Sequence, residues 1–342
     1  MPIAPSNVVT TITQDKILPK MIDIVNSGNV LLLRFIGKSR PWPSGETLRF
    51  PVKVAASTAL GSYSGFDAFG TAQADQRVLA STNLSQYYAS IVVSGIQRAL
   101  NSGDAKVLDL IAAEGMGVAA DFRDAIGSDL YLDGTGNSSK AILGLQAAVD
   151  DSTSVTTYLN ISRSTYTQWR STRTAQSGSL SLANLAADVD AAQVGNEIPT
   201  IGICPPAVFT IYEALLTPSV SHQYSANDFR LTGAGFQKLG ADVISRLGSD
   251  PAANQGFRAL TFRGIPIVAD EKCTAQNLYF LNENHFDLYK GAPPYNEVKE
   301  GFSWTGFKVP TNQDAFVGQL LWYAQLVNDS PRHSSRRTGI SS

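Results

Sequence analysis

Asp270, Glu271, Lys272 and Cys273 stand side by side within "GIPIVADEKCTAQNLYFLN", residues 264–282, and His285 follows three residues later. A thiol, an imidazole and a carboxylate are the parts of a nucleophilic site, with Cys273 attacking, His285 taking the proton and Asp270 orienting the ring. That chemistry needs thiol and imidazole within hydrogen-bond reach. The runs 260–268 and 277–282 on either side read as strands. If they pair as a hairpin, Cys273 lies in the turn and His285 lies past the far end of the second strand. Six strand residues span about 20 Å, so the two groups do not meet unless the chain folds back. Asp, Glu, Lys and Ala-Gln are also ordinary solvated turn residues. A turn is therefore the expected role of the stretch, and a cytosolic hydrolase using Cys273 or Asp270 is the rival.

Other chemistry is thinly represented. His222, His285 and His333 are widely spaced, and the chain has no CxxC, HxH or HExxH pattern. No metal, cofactor or catalytic site is expected. "DGTGN" (133–137) follows a helical run instead of a strand and lacks the GKS/T ending of a phosphate loop; a helix C-terminal turn is expected there. "GAGFQKLG" (233–240) is an isolated glycine pattern. Arg332, His333, Arg336 and Arg337 sit in a polar tail, which is expected to be frayed.

Composition narrows the class. The chain has 342 residues, a formal net charge of −2 and only 16% charged residues, against about 25% in ordinary soluble domains. The near-zero charge gives no electrostatic case for a dedicated nucleic-acid binder. A monomer uses charge to stay apart from its neighbours; a protein that covers its surface with copies of itself needs less. Two cysteines, Cys204 and Cys273, exclude a disulfide framework and point to a reducing setting. The first residues lack the pattern of a secretory signal, and no apolar run is long enough to span a membrane.

The elements that must position any site follow from periodicity. "VLLLRFIG" (30–37) reads as a strand. "LRFPVKV" (48–54) alternates, with Pro51 placing it at a sheet edge. A second alternating run begins at Arg77, and the two look like legs of a long hairpin. Residues 55–76 between them are small, apolar and Gly-rich, and a structureless loop of that size needs a job of its own. Its Tyr63, Phe66 and Phe69 argue against a disordered linker and for a segment that lies on a neighbouring molecule. Residues 103–131 form the clearest helix, with Leu108, Ile111, Val118, Phe122 and Ile126 on one stripe and Ser102 or Asp104 as cap. Gly115, Gly117 and Gly127 within it suggest close packing. A mixed α/β region follows: helices over 162–173, 181–194 and 207–216, and strands at 200–206, around 264–282 and at "HFDLYKG". "FSWTGFKV" and "AFVGQLLWYAQLVN" are β-leaning.

The order of these elements resembles the major capsid protein of tailed bacteriophages, the Hong Kong 97-like fold. The likeness lies in the long helix running into "LYLDGTGNSSKAILGL" (130–145), in "ISRSTYTQWR" (161–170), in "FRGIPIVADEKCTAQNLYFLNENHFDLY" (262–289) and in "AFVGQLLWYAQLVNDSPR" (315–332). The resemblance implies an α+β chain divided as follows: an N-terminal arm (1–40), a strand and extended loop hairpin (41–95), a peripheral-domain spine helix (96–131), an α/β axial domain (132–290), return strands of the peripheral domain (291–330) and a flexible basic tail (331–342). It implies a virion shell of hexamers and pentamers around double-stranded DNA, assembled in the host cytoplasm without a membrane. Tyr63, Phe66, Asp67 and Phe69 of the extended loop would then contact an adjacent subunit. A separate scaffolding protein and a portal are implied partners, and contact with packaged DNA would be non-specific. No lysine lies between Lys53 and Lys106, which weighs against the lysine–asparagine cross-link of some relatives. An encapsulin-type nanocompartment shares the architecture and is the runner-up.

Overall fold

A computed structural model describes residues 29–72, 75–100, 110–221, 259–292, 296–299, 301–311 and 313–341. In chain order the main elements are α1 (Val30–Gly37), β1 (Arg40–Pro41), β2 (Thr47–Lys53), β3 (Arg77–Asn83), β4 (Ser85–Ser94), α2 (Leu110–Asp129), β5 (Thr157–Tyr158), β6 (Ile161–Ser162), β7 (Thr172–Gly178), α3 (Leu182–Ala192), β8 (Ile201–Cys204) and α4 (Pro206–Ser221). They continue with β9 (Ala259–Phe262), β10 (Ile265–Ala269), β11 (Leu278–Leu281), β12 (Phe286–Lys290), β13 (Asn296–Lys299), β14 (Phe302–Trp304), β15 (Ala315–Asn328) and β16 (Ser335–Ile340).

Two six-stranded sheets organise the chain. The first is built on β15, which pairs antiparallel with β4 along 315–324, with β14 at 320–322 and with β12 at 324–328. The second runs β7-β16-β11-β8-β10-β9. Its strands alternate between two cores. Leu278 and Phe280 of β11 join Cys204, Ile265 and Ile267 against α3 and α4. Tyr279 and Leu281 point the other way, into a larger core shared with α1, α2 and the first sheet. A sheet buried on both faces is read as near-continuous apolar runs, which is why "TIGICPP" and "IPIV" show no alternation. The sheets do not follow the sequence blocks 132–290 and 291–330: β12 pairs with β15, and β16 returns to the second sheet.

The hairpin of β2 and β3 forms as the alternation predicts, in register from Thr47↔Asn83 to Lys53↔Arg77. The second alternating run breaks at Leu84, beyond which β4 joins the first sheet. The start of the predicted helix, including Ser102, Asp104 and Leu108, lies outside the described residues; α2 itself buries Phe122 and Ile126 as expected. Phe122 meets Phe302 edge-on, and Phe302 stacks on Trp322 of β15 at 5.7 Å. The close packing inferred from glycines holds at Gly127, where a Cβ would come within 2.2 Å of the Asn29 side chain. At Gly115 the nearest atom is an ordinary 3.7 Å away.

Three expectations are corrected. "VLLLRFIG" is a helix, not a strand. Its apolar residues are buried on every side except Leu33 and Gly37, and a short apolar run of this kind has no period that separates helix from buried strand. The usable signal was Asn29, whose side chain caps the helix by accepting from Leu32 N at 2.7 Å. Residues 162–173 are not a helix but β6, a short 3-10 turn (Thr167–Trp169) and the start of β7. Six Ser and Thr in those twelve residues favour local bonds over a helix, such as Ser162 Oγ with Ser164 and Thr165. The tail 331–342 is not a flexible basic end: β16 lies between β7 and β11, and Arg336 and Arg337 are buried. Arg337 binds both oxygens of Asp188 on α3, a residue 149 positions earlier. Only Arg332 of the four basic tail residues is exposed. His222, "GAGFQKLG" and the first 28 residues, which hold most of the expected arm, lie outside the described residues.

Candidate functional site

The DEKC segment is a connection and not a hairpin turn, and only Glu271 of its four residues is fully exposed. β10 and β11 do not pair; β8 runs between them. Asp270 is buried at the start of the connection. Its Oδ2 accepts from Tyr131 Oη at 2.7 Å and from the Val30 and Leu31 amides at 3.2 and 3.4 Å. Its Oδ1 accepts from Lys272 N at 2.9 Å. The carboxylate therefore caps the free amides of α1 and ties that helix to α2's end. Burial pushes its carboxyl up, and the donors hold it down. Lys272 reaches Asp124 of α2 at 2.7 Å, and Glu271 is exposed.

Cys273 is packed in the main core, where burial pushes its thiol well above the ordinary range. Cys204 is raised to about 12 by the same cause. A buried apolar thiol of this kind is inert. His285 does not approach Cys273: its ring nitrogens are taken by Asp329 and Glu197. The acid–base–thiol reading therefore fails on geometry. Cys273→Ala is expected to cost about 1–2 kcal/mol, the scale of one small buried side chain. Asp270→Ala, which leaves several buried donors unpartnered, is expected to cost about 3 kcal/mol or more. Chemical denaturation of both variants checks the order, and a Cys273 effect larger than the Asp270 effect would contradict it.

His285 has different company from that expected. It ends a 3-10 turn (Glu283–His285) that carries the chain from β11 in the second sheet to β12 in the first. His333 ends another (Pro331–His333) that carries it back from β15 to β16. The two crossings run side by side, with Asp329 N donating to His285 O, and the imidazoles stack at 4.1 Å. His285 Nδ1 lies 2.7 Å from Asp329 Oδ1, and its Nε2 lies 2.7 Å from Glu197 Oε2. His333 Nδ1 lies 2.8 Å from Ser330 Oγ, and its Nε2 lies 4.0 Å from the same Glu197 oxygen. Hydrogen bonding from His285 lowers the Glu197 carboxyl. Burial, then the neighbouring His285, lowers His333. Sequence spacing missed this grouping because its members are 48 and 88 residues apart. Beneath it, Arg34 of α1 forms a buried bidentate pair with Glu283, at 2.5 and 2.6 Å.

The segment beyond β2 is the other candidate. Among its described residues, 55–72 form no helix or strand. Leu60, Tyr63, Phe66 and Phe69 are exposed, Phe66 completely so. Tyr63 and Phe69 meet edge-on at 4.9 Å. Asp67 shapes the tip, its carboxylate accepting from Ser64 N at 2.9 Å and its own amide donating to Ser64 O. Tyr88 and Val92, on the outward face of β4, add exposed apolar surface.

No family model and no curated relative matches the sequence. Solved structures do match over the whole chain. The capsid asymmetric unit of cyanophage A-1(L) is 16% identical, with a TM-score of 0.66 over 97% of this chain and 98% of that one. A native GTA particle capsid is 11% identical, with a TM-score of 0.61 over the full length of both chains. An encapsulin complex from Synechococcus elongatus is also 11% identical, with a TM-score of 0.56 over 100% of this chain and 97% of that chain. From the helix-capped double sheet to the exposed hairpin tip, the chain has the α+β, Hong Kong 97-like fold of phage capsid subunits.

Proposed function

We propose that this chain is the major capsid protein of a tailed phage, a structural subunit that self-assembles into an icosahedral shell around double-stranded DNA. The observation that carries the reading is the full-length match to capsid subunits in a chain whose hairpin tip exposes Leu60, Tyr63, Phe66 and Phe69. Exposed apolar surface of that kind marks an interaction site. The occupant we assign is a second copy of the chain, with Tyr63, Phe66, Asp67 and Phe69 as the subunit-contact residues.

In this reading β2, β3 and the segment between them are the extended loop hairpin within residues 41–95, α2 is the spine helix of the peripheral domain, and the second sheet with α3 and α4 forms the axial domain about the hexamer and pentamer axes. The virion is the proposed location, with assembly in the host cytoplasm; no described helix is long and apolar enough to cross a membrane. A separate scaffolding protein and a portal are the proposed partners, and packaged DNA is met non-specifically. The subunit is proposed to be structural, without catalysis.

The match to an encapsulin supports a second reading, a shell that encloses protein cargo. Particles purified from producing cells separate the two. The phage reading predicts nuclease-protected double-stranded DNA of uniform length and a portal protein. Particles that hold a co-purified enzyme and no DNA would overturn it in favour of the nanocompartment.

A further inference from the structure

We propose that Glu197, His285 and His333 form a binding site for a first-row divalent transition ion of the Zn2+ class, placed where the chain crosses between its two sheets.

Three features of the geometry carry this. First, the ligand atoms of the three residues lie within 4.8 Å of one another. Metal–nitrogen and metal–oxygen bonds of about 2.0–2.2 Å need donors about 3–3.5 Å apart, so side-chain adjustments of an ångström or less suffice. Second, both imidazoles turn Nε2 towards one point, and tilting one ring out of their 4.1 Å stack lets both lone pairs meet a shared ion. Each has its Nδ1 held by a neighbour, Asp329 for His285 and Ser330 for His333, and each brings its Nε2 towards one Glu197 oxygen. A ring nitrogen held by a carboxylate fixes the tautomer and raises the basicity of the other nitrogen, the arrangement that accompanies metal-bound histidine. Third, the site is reachable. Glu197 is half exposed and both rings are partly so, and Asn282 Nδ2 holds the Glu197 oxygen at 3.0 Å. Two imidazoles and a carboxylate suit zinc and its neighbours, not calcium or magnesium. With three protein ligands, a further position stays open to water.

The position gives the ion a consequence. Glu197 belongs to the loop before β8, His285 to the β11–β12 crossing and His333 to the β15–β16 crossing. One ion would join both crossings to the second sheet and fix the angle between the sheets. The inference does not depend on the shell reading, because it concerns a single chain.

The test is titration of the full-length, chelator-treated protein with Zn2+ by calorimetry, repeated with Co2+, whose visible absorption reports nitrogen–oxygen coordination. One ion per chain is expected to bind, with a Kd below about 10 μM and a raised Tm. Glu197→Gln and His333→Gln are each expected to weaken binding at least tenfold, and Asp329→Asn, acting through His285, by about 10–100-fold. Glu197 is surface-exposed, so Glu197→Gln keeps the fold and the comparison stands even if a histidine variant misfolds. Absence of saturable binding to the native chain, or binding that survives Glu197→Gln and His333→Gln unchanged, overturns the site and leaves the cluster a set of ion pairs.

Discussion

Arg163→Met is expected to destabilise the chain by about 3–5 kcal/mol, the scale for removing one partner of a buried charged network. Arg163 is fully buried. Its guanidinium donates to the carbonyl oxygens of Ala147 and Ala148 at 2.7 and 2.9 Å, of Val155 at 3.2 Å and of Trp169 at 3.3 Å. It also lies over the Tyr158 ring at 5.0 Å. Burial lowers its pKa to about 10, so it stays charged at neutral pH. One side chain thus satisfies carbonyls from four points of an irregular segment that has little secondary structure of its own. Methionine keeps the length and the apolar stem but supplies no donors, and each buried carbonyl left without one costs about 1–3 kcal/mol. Against a typical total of about 5–15 kcal/mol, the variant sits near the edge of folding. Denaturant unfolding measures it, with exposed Arg332→Met as a control expected to shift stability by less than about 0.5 kcal/mol. A loss below 1 kcal/mol for Arg163→Met would contradict the assigned role.

The triple change Tyr63→Ser, Phe66→Ser and Phe69→Ser should have the opposite signature. These side chains bury almost nothing within their own subunit apart from the Tyr63–Phe69 contact. The denaturation midpoint of the free subunit is therefore expected to stay within about 1 kcal/mol of the original. Burial of each aromatic on a neighbour is worth about 1.5–3 kcal/mol, so assembly loses about 5–9 kcal/mol per subunit contact. Sedimentation is expected to show no closed particles from the variant. Hydrogen exchange adds a second readout, with amides of residues 55–72 protected in shells and open in free subunits. Wild-type particle yield, or equal protection in both states, would show that the hairpin tip does not hold the shell together.

Sequence patterns were readable where local periodicity and burial agree. Alternation in 48–54 and from Arg77 identified β2 and β3, the Phe122 and Ile126 stripe identified α2, and the long run at 315–328 identified β15. Where tertiary partners decide the conformation, the patterns misled. α1 is apolar on nearly every side, so its period carries no information, and its two N-terminal caps are Asn29 and a carboxylate 240 residues away. Arg336 and Arg337 look like a solvated tail until Asp188 is brought beside Arg337. Arg163 sits inside a quoted motif, yet nothing in its neighbours shows that it serves carbonyls 15 and 16 residues upstream. The His285–His333–Glu197 grouping is legible only in three dimensions, because two sheet-to-sheet crossings have to run side by side to make it. Composition alone pointed to a contact role for the apolar, low-charge loop; the structure leaves its Tyr63, Phe66 and Phe69 exposed, and their contact with a second copy is the proposal.

Electron microscopy of the purified full-length protein, carried to a reconstruction, tests the central claim most directly. A self-assembling shell subunit yields closed icosahedral particles in which Tyr63, Phe66 and Phe69 lie against an adjacent copy. Monodisperse monomers under every assembly condition tried, or shells in which residues 55–72 touch no neighbour, would contradict it.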